Sequence, residues 1–295
     1  MNGKKYIQLK QQNWAKRKGL VLIGGTKLNR GEKNYVDDLT SNIFNNQLSA
    51  ETDKNFKEGD GGEMNDSNFS RAKMKALHSS SALPVNVFQY WQNKEVYPIL
   101  YACKLCAKVA SKENSNGKNI LPNKVKFEQK FEISEDKNLF PRKPNLDVVI
   151  ENNKLYAIES KFTEPYKKKQ KGLSERYTSD KSFWKGLTHL EKLANKISPN
   201  NNKFKYLDAA QLIKHILGLK KAHKKSGFTL SYLWYDVIGK DGFEHRKEIE
   251  KFAEIAKKDK IKFRHITYQE VIINLSNNFY VNNENYIDYL TDRYL

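Results

Sequence analysis

The sequence predicts an α/β protein in which helices flank a mixed β-sheet, in the order helix, three strands, helices, strand. Two short apolar runs, 146–150 and 155–158, are rich in β-branched residues and enclose the turn-forming pair Asn152-Asn153. Residues 125–133 alternate between apolar and polar side chains, as a strand does. Apolar residues recur at helical spacing further along the chain, as in 206–225. The three strand segments are expected to pair as a meander.

The N-terminal part of the chain gives weaker signals. Residues 35–48 carry apolar side chains at helical spacing and predict a helix, whereas the Asp-, Asn-, Gly- and Ser-rich segment 52–69 predicts a mobile loop. Residues 72–110 predict two or three helical pieces broken near Pro84 and Pro98. Gly24-Gly25-Thr26-Lys27 lacks the spacing of a phosphate-binding loop and is interpreted as a turn.

The C-terminal part predicts a regular alternation of elements. The expected helices are 183–197, 206–225, 244–258, 268–275 and 286–295, and the expected strands are 228–238, which should close the sheet, and 261–266. We therefore predict a core over 71–240, an N-terminal extension over 1–70 and a C-terminal α/β extension over 241–295 packed on the core.

Composition bounds the functions that the chain can have. The 295 residues carry a net charge of +19 and have a pI of about 9.6, which suggests a polyanionic partner such as nucleic acid, although a lysine-rich surface can also serve solubility alone. Two cysteines, Cys103 and Cys106, can form neither a disulfide framework nor a four-thiolate zinc site. No apolar run approaches the ~20 residues of a membrane span, and no secretory signal is evident. A cytoplasmic protein without a membrane partner is expected.

Two carboxylates and a lysine lie at the ends of the two apolar runs. Asp147 is on the first predicted strand, and Glu159 and Lys161 share one face of the second because they are two residues apart. Paired carboxylates can hold Mg²⁺, and a neighbouring lysine can orient water or stabilise transition-state charge. The alternative is a salt-bridged hairpin on a solvated surface.

A shared metal requires a particular turn between the two strands. A two-residue turn at Asn152-Asn153 would pair position 147 with 158 and place the carboxylates on opposite faces. We therefore predict a three-residue loop over 152–154, or a bulge, which pairs position 147 with 159.

Several ordered blocks extend the pattern beyond these three residues. They are Leu77-His78-Ser79-Ser80-Ser81-Ala82-Leu83, Asn86-Val87-Phe88, Phe127-Glu128, Glu159-Ser160-Lys161-Phe162-Thr163-Glu164 and the stretch 206–215. With these blocks the chain resembles the PD-(D/E)xK nuclease superfamily and, over about 61–235, a bacterial family of restriction endonucleases. The leading Pro-Asp of that superfamily is replaced here by Pro144-Asn145-Leu146-Asp147.

The resemblance implies a restriction-endonuclease-like core of α-β-β-β-α-β order and a set of site residues. Asp147 and Glu159 would be metal ligands, Lys161 would position water, and Glu128 would assist the metal unless it is a surface glutamate. Gln211 would support the site from a helix, unless its polar stripe with Asp208 and His215 is only the solvent side. Further candidates are Ser79 and Ser80 as nucleic-acid contacts, which could instead cap a helix, and Glu63, a weaker candidate.

A run of lysines, Lys167, Lys168 and Lys169, follows the hairpin and could neutralise DNA phosphates. The sequence therefore predicts a Mg²⁺-dependent DNA endonuclease of restriction type, with Mn²⁺ as a substitute metal and double-stranded DNA as partner. The alternatives are a repair or defence nuclease on the same core, a catalytically silent nucleic-acid-binding module and a structural protein. The sequence leaves open the recognition site, the choice between DNA and RNA, and whether the chain forms a homodimer.

Overall fold

The computed structural model describes residues 1–59, 62–107, 124–141, 143–152, 154–167 and 170–295. Over these ranges the chain forms one five-stranded sheet in the order β1-β2-β3-β4-β5. The strands are β1 (Lys124–Lys130), β2 (Asn145–Glu151), β3 (Leu155–Lys161), β4 (Phe228–Trp234) and β5 (Phe263–Thr267). The first three form the predicted antiparallel meander, and β4 and β5 add in parallel. The predicted mixed sheet is confirmed.

Helices cover both faces of the sheet. They are α1 (Gly3–Arg17), α2 (Ala50–Glu58), α3 (Ala82–Phe88), α4 (Tyr97–Ala102), α5 (Arg176–Ser179), α6 (Thr188–Ile197), α7 (Ala209–His223), α8 (Lys240–Lys258), α9 (Tyr268–Phe279) and α10 (Glu284–Tyr294). Helices α5 to α7 lie between β3 and β4, and α8 lies between β4 and β5, as parallel pairing requires. None of the helices in the described ranges is long and apolar enough to cross a membrane.

Side chains that alternate along the strands divide the core into two layers. Val148 and Ile158 belong to one layer, which α3, α4, α9 and α10 complete. Val149, Ala157 and Leu230 belong to the other, together with α6, α7 and α8. Burial of both faces explains why the central strands are almost continuously apolar rather than alternating.

Strand β1 differs from the simple alternation that the sequence predicts. Phe127 lies in the first core layer, whereas Phe131 and Ile133 pack against the second, although all three have the same parity. The change of face occurs at Glu128, whose backbone has a left-handed φ of 54°. The prediction of one mostly apolar face over 125–133 is therefore wrong beyond this residue.

The N-terminal predictions need correction. Residues 35–48 form two short 3-10 turns, Leu39–Asn42 and Phe44–Asn46, and positive φ at Asn45 and Asn46 interrupts any longer helix. The segment predicted as a loop contains most of α2, which Ser49 caps.

The two prolines lie in the first turns of α3 and α4, where proline is tolerated, and so begin helices rather than break them. Strand β4 is interior, between β3 and β5, and does not close the sheet. The division into core and extensions stays a prediction.

Candidate active site

The β2–β3 hairpin has the register that a shared site requires. Glu151 pairs with Leu155, so the loop comprises positions 152–154, and Val148 pairs with Ile158. The three-residue loop predicted from the sequence is confirmed. Continued by one residue, this register brings Asp147 level with Glu159, which contacts His215 of α7.

Glu159 is a buried carboxylate, with 1% of its surface exposed. Its Oε1 accepts a hydrogen bond from Nζ of Lys161. Its Oε2 lies 2.8 Å from Nε2 of His215, but within the described chain neither atom has a partner at hydrogen-bonding angles. Burial opposes the charged form of Glu159, but Lys161 and His215 outweigh burial and lower its pKa to about 2. The salt-bridged surface hairpin is therefore excluded.

The pKa of Asp147 is shifted in the opposite direction to that of Glu159. Burial and the repulsion from Glu159 raise its pKa well above the usual value, against the attraction of Lys161. Its Oδ2 accepts a hydrogen bond from the backbone N–H of Ser160 at 2.6 Å. Proximity to Glu159 therefore disfavours the ionised form of Asp147, because placing two negative charges close together in a site of low solvent exposure is costly.

Lys161 is the cation that balances this group. Burial disfavours its charged form, but Glu159, Asp147 and Glu164 outweigh burial and raise its pKa. Lys161 is therefore an ammonium group at neutral pH, able to donate hydrogen bonds and to stabilise negative charge.

Glu128 does not join the two carboxylates in a common set. Its positive φ turns the strand, and its Oε2 accepts a hydrogen bond from Nδ2 of Asn145 and lies beside Gly59. Burial raises the pKa of Glu128 to about 7, and the nearby charges of Glu63 and Glu159 contribute. Over the described residues no group of three or more His, Cys, Asp or Glu side chains is placed to hold one metal ion. The predicted three-carboxylate ligand set is not assembled.

Helix α7 contributes a residue that the sequence analysis did not select. His215 is 1% exposed and contacts Glu159, whereas the candidate Gln211 lies one turn earlier and donates its backbone N–H to Oδ1 of Asp208 at 2.8 Å. The available signal was the stripe of Asp208, Gln211 and His215, which share one helical face. The sequence could not show which member of that stripe reaches the sheet.

Glu164 is a second residue that the sequence did not mark as part of the site, although it ends the block that contains Glu159 and Lys161. Its Oε2 accepts from the backbone N–H of Phe162 at 3.0 Å, and Ser80 donates to its carboxylate. Burial opposes ionisation of Glu164, but Lys161 and Lys167 outweigh burial and lower its pKa. Glu164 is therefore a third carboxyl group beside Lys161, after Glu159 and Asp147.

The predicted nucleic-acid contacts have different surroundings. Ser79 is buried, and its Oγ accepts from the backbone N–H groups of Ser81 and Ala82 at 3.2 Å, just before and at the first residue of α3. Lys167 is exposed and lies in a cleft of about 650 Å³ that Lys203 and Lys205 also line. Lys168 and Lys169 lie outside the described residues.

The chemistry of this group fits a hard cation. Mg²⁺ takes oxygen ligands and is commonly held by one or two carboxylates, with water and substrate phosphate completing its shell. Asp147 and Glu159 supply two carboxylates, and the buried Oε2 of Glu159 lacks a hydrogen-bond partner in the described chain. A cation would allow both carboxylates to ionise, so the donor set and the electrostatics agree.

Comparison with known proteins places the chain in a family. A model of the family described as "Restriction Endonuclease associating with ARP" matches residues 8–295. The chain belongs to this family. No curated protein and no solved structure matches the chain. The predicted restriction-endonuclease family is thereby confirmed, and the finer assignment to the PD-(D/E)xK group depends on Asp147, Glu159 and Lys161.

Proposed function

We propose that the protein is a Mg²⁺-dependent endonuclease that hydrolyses phosphodiester bonds of double-stranded DNA, as a restriction-type enzyme. The observation that carries the proposal is the buried Glu159 beside the half-buried Asp147 of the neighbouring strand, with Lys161 hydrogen-bonded to Glu159, in a chain of a restriction-endonuclease family. Placing three ionisable groups at the end of a largely buried sheet is costly, and a function that uses their charges accounts for that position.

Each residue has a role that follows from its surroundings. Asp147 and Glu159 would hold Mg²⁺, which when bound supplies a Lewis acid and lowers the pKa of bound water. Lys161, held as an ammonium by its carboxylate neighbours, orients the attacking water and stabilises negative charge that develops on the phosphate. His215 and Glu164 fix the positions of Glu159 and Lys161 from outside the pair.

Basic side chains beside the site would bind the DNA backbone. Lys167 follows Glu164 by three residues, and its cleft contains Lys203 and Lys205. The net charge of +19 gives the whole molecule a long-range attraction for a polyanion. The two lysines that follow Lys167 in the sequence extend the same basic run.

The test compares plasmid DNA cleavage by the wild-type protein and by the variants Asp147→Ala, Glu159→Ala and Lys161→Ala, with Mg²⁺, Mn²⁺ or Ca²⁺. We expect each variant to lose about a hundredfold or more in rate, by analogy with removal of one electrostatic stabiliser. The losses should not add, because the three residues act as a unit. Mn²⁺ should support cleavage, and Ca²⁺ should permit binding without cleavage.

Metal and DNA binding distinguish the roles of the three residues. Asp147→Ala and Glu159→Ala should weaken Mg²⁺ binding measured by calorimetry, whereas Lys161→Ala should keep metal and DNA binding and lose rate. Lys54→Ala, which changes an exposed lysine on α2, is the matched control. Wild-type cleavage in excess EDTA, or full activity of Asp147→Ala, would refute the assignment.

A repair or defence nuclease would use the same residues and differ only in its DNA substrate. Sequencing the ends of cleaved DNA separates the two, because a restriction-type enzyme leaves ends at a fixed sequence. If the protein is a catalytically silent DNA-binding module, the wild-type protein should bind DNA but cleave it with none of the three metals.

A further inference from the structure

Two tight turns lie side by side near the N-terminus and form a paired tip. The first, 26–30, follows the Gly24-Gly25 pair, and the second is 67–70. Thr26 and Ser70 form an antiparallel bridge, and the backbone N–H of Lys27 donates to Phe69 O at 3.2 Å. Lys27 therefore lies opposite Phe69 across this short ladder.

Hydrogen bonds fix the second turn. Oγ of Ser67 accepts from the backbone N–H groups of Phe69 at 3.2 Å and Ser70 at 2.9 Å, and the backbone N–H of Ser67 donates to Ser70 O at 2.8 Å. Hydrogen bonds between Ser67 and Ser70 thus close the turn around the two residues at its apex, Asn68 and Phe69. The Phe69 backbone is held in place before any partner arrives, which reduces the entropy lost on binding.

The first turn is fixed in a similar way. The backbone N–H of Arg30 donates to Oγ1 of Thr26 at 2.8 Å, and that of Asn29 donates to Thr26 O at 2.9 Å. A Cβ at Gly24 would lie 2.4 Å from Arg30 O, and one at Gly25 would lie 2.7 Å from the Tyr35 ring. The glycine pair is therefore required by close approach within the turn.

The paired tip presents apolar and cationic side chains to solvent. Phe69 is 84% exposed and Leu28 is 73% exposed. Lys27 and Arg30 are exposed on the first turn. Single exposed apolar residues are common on protein surfaces, but an aromatic ring on a hydrogen-bonded apex with cations beside it is suited to a polyanion with stacked rings.

Hydrogen bonds connect the base of the paired tip to the segment that precedes α3. The chain enters the second turn from Glu63, whose O accepts from the backbone N–H of Met74 at 2.9 Å and whose Oε2 accepts from Oγ of Ser81 at 3.2 Å. Glu63 is also one of the charges that raise the pKa of Glu128. Glu63 therefore links the segment that leads into the tip to Ser81, at the start of α3.

We propose that Phe69 is a wedge that inserts between base pairs of duplex DNA while Lys27 and Arg30 contact the flanking phosphates. Inserted Phe and Leu side chains unstack base steps and kink the duplex. The tip would thus bend or unwind the DNA that the active site cleaves. The inference rests on the proposed function in one respect, which is that the partner is DNA.

The test measures unwinding in a way that needs no knowledge of a recognition site. The full-length protein is bound to plasmid in EDTA, a metal-independent topoisomerase relaxes the complex, and the linking number is read after protein removal. Wild type should lower the linking number, and Phe69→Ala should abolish the change and weaken DNA affinity about tenfold, as expected for loss of one aromatic stacking contact. Phe69→Leu should retain part of the unwinding.

Phe243→Ala is the matched control, because Phe243 is an aromatic residue 57% exposed on α8 with Lys247 Nζ 4.2 Å from its ring centroid. It should unwind DNA as wild type does. Equal unwinding by Phe69→Ala and wild type, or DNA binding by wild type without unwinding, would overturn the wedge and leave the proposed function intact. Absence of DNA binding by wild type would refute both. A lower solution mass for Phe69→Ala than for wild type would assign the tip to contacts between protein chains and overturn the wedge.

Discussion

At the scale of single residues, Glu128 combines two unfavourable features. Its φ of 54° lies in a region that costs a non-glycine residue roughly 1–3 kcal/mol, and burial raises the pKa of its carboxyl group to about 7. Strained backbone with a perturbed acid is typical of functional positions, and the neighbouring carboxyl groups of Glu63 and Glu159 place Glu128 beside the candidate site.

The raised pKa of Glu128 predicts a pH-dependent stability. A group whose pKa is higher in the folded protein than in the unfolded chain adds stability at low pH, and this contribution is lost as pH rises through about 7. Glu128→Gln cannot ionise, so its stability relative to wild type should increase between pH 4.5 and 7, by at most about 3 kcal/mol. Urea unfolding in EDTA at a series of pH values measures the difference. The exposed Glu135→Gln should track wild type, and parallel curves for Glu128→Gln and wild type would contradict the prediction.

His215 and Gln211 offer a direct comparison between the structure and the sequence. Removing the buried contact to Glu159 by His215→Ala should lower the single-turnover cleavage rate about 10- to 100-fold, as for partners that orient a ligand. Gln211→Ala should cost less. His223→Ala, on the last turn of α7, is the control, and thermal unfolding of each variant separates lost activity from lost stability. A larger effect of Gln211→Ala than of His215→Ala would favour the residue that the sequence selected.

Local spacing explains which site residues could be predicted. Asp147, Glu159 and Lys161 lie on one hairpin, so strand periodicity and loop length alone bring them together. His215 reaches Glu159 only through helix packing across more than fifty residues. The direction of the Glu128 side chain depends on a φ value that alternation of side chains cannot reveal.

At the scale of secondary-structure elements, Arg293 joins separate parts of the chain. It is 1% exposed on α10, and its guanidinium donates to Oε1 of Gln11 on α1 at 3.0 Å and to Asn42 O at 2.8 Å, and lies 4.2 Å from the ring centroid of Trp14. The buried charge is thus distributed over neutral acceptors and an aromatic face. A planar guanidinium can satisfy these directions together, and an ammonium group cannot.

Arg293→Lys therefore should destabilise the protein although it keeps the charge. We expect a loss of roughly 2–4 kcal/mol in the free energy of unfolding, because several buried acceptors lose their donor. Denaturant unfolding measures the change, with the exposed Arg264→Lys as control. A loss no larger than that of the control would show that Arg293 does not join these elements energetically.

Elements with strong periodicity were predictable, and those defined by side-chain capping were not. Helices α7, α8, α9 and α10 and strand β3 lie close to the predicted bounds because their apolar faces are regular. Residues 35–48 have helical spacing, yet buried Asn42 uses its Nδ2 to donate to Met74 O and Ala76 O, both at 2.8 Å. Those long-range hydrogen bonds favour the observed 3-10 turns, and the local sequence pattern does not predict such bonds.

At the scale of the whole molecule, the net charge is positive, whereas the candidate site is rich in carboxyl groups. The chain carries a net charge of +19, while acidic residues gather around Lys161. A positive molecule attracts a polyanion, and under the proposed function the acidic group would attract the cation needed beside the phosphate. The two charge distributions are compatible in that proposal because a bound metal would neutralise the acidic group before DNA binds.

The basic excess predicts how DNA binding depends on salt. If lysines neutralise phosphates, the logarithm of the affinity should fall linearly with the logarithm of salt concentration, with a slope of about −0.9 for each phosphate contacted. Reversing the charges of the three lysines at 167–169 should weaken binding and make the slope less negative. Fluorescence anisotropy with a labelled duplex in Ca²⁺, over a range of salt concentrations, measures both quantities.

The same charge reversal at Lys257, Lys258 and Lys260, on and just after the end of α8, controls for net charge alone. Equal slopes for the two triple variants would show that the lysines after the hairpin act only through total charge, and a slope near zero for wild type would show that the basic surface serves solubility.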